Sequence, residues 1–160
     1  MLVVEVADAQ TKSVVLDITL AAYSEYKKDS SPQFWQRYID NIRQAILDES
    51  STTILIAKQD GVIKGSVLLC APGESLGQQE LPELRLLAVP PEYRNQGVAD
   101  ALIKECERRA AGSGGLTLHT TQLMKTAKAM YERRGYVRYP EIDFEPVPGF
   151  VVWGYKKLLE

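Results

Sequence analysis

One histidine and two cysteines stand among 160 residues. A single imidazole excludes a structural metal site built from several. Within the run Leu116 to Thr121, His119 reads as a strand residue rather than a catalyst. Cys70 and Cys106 lie far apart and match no metal or redox spacing. Both fall in apolar patterns and read as small buried hydrophobes. Neither has a histidine partner in a recognisable pattern, so nothing points to an acyl-enzyme. An excess of either charge is missing too: the net charge is −2, which gives no footprint for nucleic acid or an anionic membrane. No apolar run approaches the ~20 residues of a membrane span. Met1 to Val6 lacks a basic n-region and a long apolar h-region, so it reads as a first strand and not as a signal peptide. The expected compartment is the cytoplasm, with reduced thiols. The chain has no Gly-x-x-x-x-Gly-Lys-[Ser/Thr] and no Gly-x-Gly-x-x-Gly after a strand. A Walker phosphate loop and a Rossmann dinucleotide site are therefore not expected.

What is present suits an ordinary folded domain: 45% hydrophobic and 25% charged residues. The length predicts one domain over 1–160 with a real core. Asp8 or Thr11 can cap a first helix, whose apolar side is Val14, Val15, Ile18, Ala22 and Tyr26, with Leu16 and Leu20. Ser31-Pro32 opens a second helix, serine as cap and proline at the first position. Its stripe is Phe34, Trp35, Tyr38, Ile39, Ile42, Ala45 and Ile46. Thr53 to Lys58 and Val62 to Cys70 are strands joined at Asp60-Gly61, a hairpin signal. Ala71 to Leu81 reads as a loop. Strands are also expected over 116–121, 136–139 and 150–156, and a helix over 123–134 stopped at Gly135. Pro140 to Gly149 reads as an acidic loop carrying Glu141, Asp143 and Glu145.

The most informative stretch is Arg94-Asn95-Gln96-Gly97-Val98-Ala99. Before it, Leu84 to Val89 reads as a buried strand ended by Pro90-Pro91. After it, Val98, Leu102 and Cys106 mark one face of a helix running to Ala110. A helix start presents amide groups with no internal partner and a partial positive charge. Gly97 lets an anion approach the backbone, and Arg94 and Gln96 add side-chain donors. The alternative is a plain strand–helix turn; the whole segment favours phosphate binding.

The pattern Arg94-x-x-Gly97-x-Ala99 resembles the acetyl-CoA signature of the GNAT superfamily of N-acetyltransferases. Ala127-x-x-Met130-Tyr131-x-x-x-Gly135-Tyr136 is similar to that family's Ala-x-x-Leu-Tyr-x-x-x-Gly-Phe. The resemblance covers nearly the whole chain. It implies an α/β (α+β) fold: a mixed, mostly antiparallel, splayed sheet of about seven strands with about four helices. It implies that Arg94, Asn95, Gln96, Gly97, Val98 and Ala99 hold the CoA pyrophosphate. The backbone of Leu87, Ala88 and Val89 would pair with the pantetheine arm as an added strand, and an N–H there would polarise the thioester carbonyl.

Tyr131 is implied as proton donor to the departing thiolate, the alternative being a core tyrosine on an amphipathic helix. Glu83, four residues before Leu87, stands where one family branch carries its general base. The alternatives are an ordinary exposed glutamate and a water chain. The family's frequent Asn seven residues before the tyrosine is Met124 here. Lys125 and Lys128 are candidates for the CoA phosphates. The expected activity is direct transfer of an acetyl group from acetyl-CoA to a primary amine of a small molecule or protein. The rival expectation is an inactive acyl-CoA-binding regulatory or interaction module. Acetyl-CoA and an amine are the expected partners, with no metal, nucleic acid or membrane; a homodimer stays open. The inter-helix loop at Lys27 to Ser31, the hairpin and Pro140 to Gly149 are the expected acceptor loops.

Overall fold

The computed structural model describes residues 1–48, 52–73 and 80–160. Its elements are β1 (Val3–Val6), α1 (Lys12–Tyr23), α2 (Pro32–Leu47), β2 (Thr52–Gln59), β3 (Val62–Cys70), β4 (Glu83–Ala88), α3 (Val98–Ala110), β5 (Gly115–Thr121), α4 (Lys125–Arg133), β6 (Val137–Arg138), β7 (Phe144–Val147) and β8 (Phe150–Leu158). The eight strands form one mixed, mostly antiparallel sheet, ordered β1-β2-β3-β4-β5-β8-β6 with β7 on β8. Among the described residues no helix is long and apolar enough to cross a membrane. The expected loop at Ala71 to Leu81 lies mostly outside the described residues.

The chain forms two compact units, each assembled from two segments: residues 1–69 with 86–106, and 70–85 with 107–160. In the first, β1 pairs antiparallel with β2, Val3 opposite Lys58. Asp60 (φ 54°) and Gly61 (φ 77°) are both left-handed, the conformation a two-residue hairpin needs. The Ser31 hydroxyl accepts the Phe34 N–H, so α2 starts with its cap satisfied. Asp8 accepts the Thr11 N–H and thereby closes a short 3₁₀ turn ahead of α1. Val15, Ile42, Ile46, Ile54, Ile56 and Leu68 form a core against which Leu16, Leu20, Tyr23 and Tyr38 pack. Each large apolar side chain there is worth about 1.5–3 kcal/mol.

The expected face of α1 needs correcting. Val14 is 42% exposed while Val15 and Thr19 are wholly buried. Thr19 enters the core because its hydroxyl donates to the Val15 carbonyl at 2.7 Å, leaving no polar group unmet.

In the second unit, β4 runs parallel to β5 at Glu83 opposite Thr117. The Pro82 carbonyl there accepts both the N–H and the hydroxyl of Thr117. β5 and β8 pair antiparallel from Gly115–Leu158 to Thr121–Val152. The expected acidic loop at Pro140 to Gly149 is instead a 3₁₀ turn at Pro140–Ile142 followed by β7, which folds back on β8. Gly154 makes that possible. A Cβ there would stand 2.7 Å from the Tyr139 carbonyl and overlap the Ile142 side chain.

Candidate active site

The sequence-marked residues divide between the two units. Leu87, Ala88, Val89 and Arg94 to Ala99 belong to the first; Glu83 and Tyr131 belong to the second.

In the first unit the chain leaves β4, makes a 3₁₀ turn at Pro91–Tyr93, and enters α3. Asn95 (φ 62°) and Gly97 (φ 81°) are both left-handed. The Gly97 carbonyl accepts the Ala101 N–H at 3.0 Å, so the helix begins here. The amide groups of its first turn have no earlier carbonyl in the helix to bond. A Cβ built on Gly97 would meet nothing within 4 Å. Unbonded amides at a helix start are a general place for an anion to bind.

Arg94 and Gln96 are engaged within the same turn. Arg94 Nε donates to the Val89 carbonyl and a terminal nitrogen to Glu25 Oε2, both at 3.0 Å. Gln96 Nε2 donates to the Glu92 carbonyl at 3.2 Å. Arg94 therefore ties the strand end to the helix start. The pair with Glu25 is part-exposed and contributes only about 0–1 kcal/mol. One residue before Leu87, Leu86 is left-handed (φ 53°), a conformation that costs a branched side chain about 1–2 kcal/mol. The Tyr23 hydroxyl donates to the Leu87 carbonyl at 3.0 Å.

In the second unit Glu83 is only 1% exposed, which removes the reading of an ordinary surface glutamate. Its Oε2 lies 2.7 Å from His119 Nδ1. His119 Nε2 lies 2.8 Å from the Ile142 carbonyl. A carbonyl can only accept, so Nε2 carries a proton. Nδ1 faces a carboxyl oxygen, so the pair shares one further proton. Burial works against the imidazolium, but the hydrogen bond and charge of Glu83, with the Ile142 carbonyl, outweigh it and raise the His119 pKa. Phe144 packs edge-on against the imidazole at 5.3 Å.

Tyr131 is held by the end of its own helix. The Tyr136 N–H donates to the Tyr131 carbonyl and the Gly135 N–H to that of Glu132. With Gly135 at φ 96° this is a Schellman stop, and the ring contact between Tyr131 and Tyr136, 5.8 Å, is its apolar clasp. The spacing Tyr131-x-x-x-Gly135-Tyr136 is thus a positioning device for the tyrosine, which is 5% exposed.

The model of the Acetyltransferase (GNAT) family matches residues 15–136. This chain belongs to the GNAT acetyltransferase family. It is 42% identical over 55 residues to the amino-acid acetyltransferase of Pseudomonas paraeruginosa, covering 34% of this chain and 13% of that protein. It is 30% identical over 95 residues to the uncharacterized N-acetyltransferase YhfO of Bacillus subtilis, covering 58% of this chain and 64% of that protein. The chain thus spans less than two thirds of either relative. The paia N-acetyltransferase of Thermoplasma acidophilum, solved in complex with coenzyme A, shares the fold: TM-score 0.72 at 14% identity over 98% of this chain and 99% of that one.

In this member of the GNAT acetyltransferase family the remaining side chains sort by what they touch. Asp143 is already committed: two bonds from Arg138 (2.9 and 2.6 Å) and the Gly154 N–H. Glu145 accepts the Gly149 N–H. Of the three acidic residues, Asp143 and Glu145 fasten the β7–β8 hairpin. Lys128 lies over the Trp153 ring, 5.3 Å from its centroid. Met124 opens α4 without a side-chain cap. Cys70 and Cys106 are both buried. Sequence reasoning passed over two residues: His119, set aside as a strand residue, and Tyr23, left off the apolar face. Their partners lie 36 and 64 residues away, and no local pattern announces such pairs.

Proposed function

We propose that this chain is an acyltransferase that moves an acetyl group from acetyl-CoA to a primary amine of a small molecule or protein by direct attack. The observation that carries the reading is the open, left-handed turn at Gly97 between a buried strand and an amphipathic helix. The amides from Asn95 to Ala99 receive the pyrophosphate, with the Arg94 and Gln96 side chains as added donors. The backbone of Leu87, Ala88 and Val89 receives the pantetheine arm as an added strand. Val89 keeps a second lone pair beside its bond from Arg94. Acetyl-CoA supplies the activated thioester.

The residues of the second unit handle protons. An amine is mostly an ammonium at neutral pH, so one proton must leave before attack. Glu83, oriented by His119, takes it directly or through a water. The nitrogen then forms a bond to the acyl carbon and the carbon–sulfur bond breaks. Tyr131 gives its phenolic proton to the departing sulfur, and the amine's second proton restores the phenol through solvent.

Calorimetry with CoA, followed by a thiol-release assay over a panel of amines, tests the reading. Binding with release from any amine supports it. Binding without release from every amine favours a non-catalytic acyl-CoA-binding module, against which the Tyr131 motif argues. Absence of binding rejects both.

A further inference from the structure

We propose that Tyr23 is a positioning residue for the thioester: its hydroxyl holds the Leu87 carbonyl and thereby fixes the backbone whose N–H polarises the acyl oxygen. The inference rests on the reading above for the Leu87 backbone and extends it to a residue on α1.

Three observations converge. The hydroxyl reaches the carbonyl directly, at 3.0 Å, across 64 positions of sequence. A peptide unit is planar, so fixing the Leu87 oxygen fixes the plane it shares with Ala88. Rotation about Leu87 is then all that remains to set its own N–H. Second, the neighbouring Leu86 sits at φ 53°. A non-glycine residue persists there only where its surroundings over-determine it. The Tyr23 bond is one such restraint, one residue away. Third, the ring is braced by two others. Tyr26 and Tyr38 meet it edge-on at 5.8 and 6.0 Å, from the turn after α1 and from α2.

A second tie runs beside the first. Two residues after Tyr23, Glu25 holds Arg94, whose Nε holds the Val89 carbonyl. The Tyr23–Glu25 segment thus holds the strand end at two acceptors, the Leu87 carbonyl directly and the Val89 carbonyl through Arg94. Tyr26 lies beside the grip and hydrogen-bonds Glu25. Burial first, then the Glu25 charge, pushes its phenol up to about 12, so it remains a donor at neutral pH.

The test compares wild type with Tyr23→Phe, which keeps the ring and its edge contacts. CoA lacks the acyl carbonyl, so its affinity reports the pantetheine pairing along Leu87 to Val89 but not the polarisation of the acyl oxygen. The infrared band of carbonyl-labelled acetyl-CoA reports that polarisation. In wild type the bound band moves to lower frequency than in water. In Tyr23→Phe it returns toward the aqueous value, while CoA affinity and Tm hold within about twofold and 2 °C. With an active amine, kcat falls about tenfold, the order of one lost hydrogen bond. An unchanged band in the variant overturns the proposal, as does a wild-type band at the aqueous frequency. Parallel loss of Tm and CoA affinity assigns Tyr23 to packing alone and overturns it too. If wild type binds no CoA, the functional reading fails and this inference falls with it, an outcome distinct from the other three.

Discussion

Glu83 and His119 face each other at 2.7 Å with side-chain exposures of 1% and 6%. Such a pair is costly to break by removing one member, about 3–5 kcal/mol, because the other is left charged and dry. We expect His119→Phe to unfold at lower temperature than Glu83→Gln/His119→Phe. The double variant removes both charges together. Thermal melts of the two at pH 7 check this, and equal Tm values would dissolve the pair as a unit.

The same pair sets a pH dependence. The folded His119 pKa is raised above its unfolded value, which is ~6.5. The folded state therefore binds the proton more tightly. Its contribution is complete below the unfolded pKa and fades as pH rises through the folded value. Relative to the double variant, wild type loses stability on moving from about pH 6 to pH 9. Asp143 works in the opposite direction. The Arg138 hydrogen bond, followed by the Gly154 N–H and the Arg138 charge, lowers its pKa against the opposing effect of burial. Its contribution is present above the unfolded value of ~3.9 and fades as pH falls through the lower folded one. Asp143→Asn should flatten the acid limb, read from thermal melts between about pH 2 and pH 6.

Gly97 and Gly61 make a matched pair for the phosphate site. Both are left-handed (φ 81° and 77°), and in both a Cβ would meet nothing within 4 Å. Replacement by alanine should cost each about 1 kcal/mol of stability through φ alone. Only Gly97→Ala should also weaken CoA binding, by about tenfold or more, because its Cβ is added on the turn proposed to receive the phosphates. Gly97→Val should weaken it further. Calorimetry on the three variants decides, and equal CoA affinity for Gly61→Ala and Gly97→Ala would place the phosphates elsewhere.

What the sequence disclosed follows the range of the forces involved. The Ser31-Pro32 cap, the Asp60-Gly61 turn, the limits of α3 and the Gly135 stop depend on neighbours within about five residues, and each formed as expected. The buried side of α1 did not, because Val14 and Val15 are equally apolar and only α2 and the sheet choose between them. β7 was missed because Phe144-Glu145-Pro146-Val147 carries a proline and a charge. It forms because Asp143 takes the Gly154 N–H and Arg138 together. The Glu83–His119 and Tyr23–Leu87 bonds are tertiary throughout. Their chemistry was visible in the residue types, but their pairing was not.

Tyr131 offers the sharpest test of the chemistry. Breaking the bond to CoA releases a thiolate whose acid has a pKa of ~8.5, and a phenol beside the sulfur can protonate it as the bond parts. General-acid help of this kind is worth roughly 10²–10⁴ in rate. The Schellman stop at Gly135 and the Tyr136 ring hold the side chain from its backbone and its edge; neither depends on the hydroxyl. Tyr131→Phe should therefore fold with both contacts kept and bind CoA as wild type does. The loss should fall on kcat, as for an interaction made in the transition state. It should shrink for acyl donors with a more acidic leaving thiol, which need less protonation. Tyr136→Ala makes the complementary case: the hydroxyl of Tyr131 stays, its ring loses the clasp, and kcat and Tm should fall together. Full kcat in Tyr131→Phe, measured where a solvent isotope effect shows proton transfer to be rate-limiting, would make Tyr131 a packing residue and leave the proton to water.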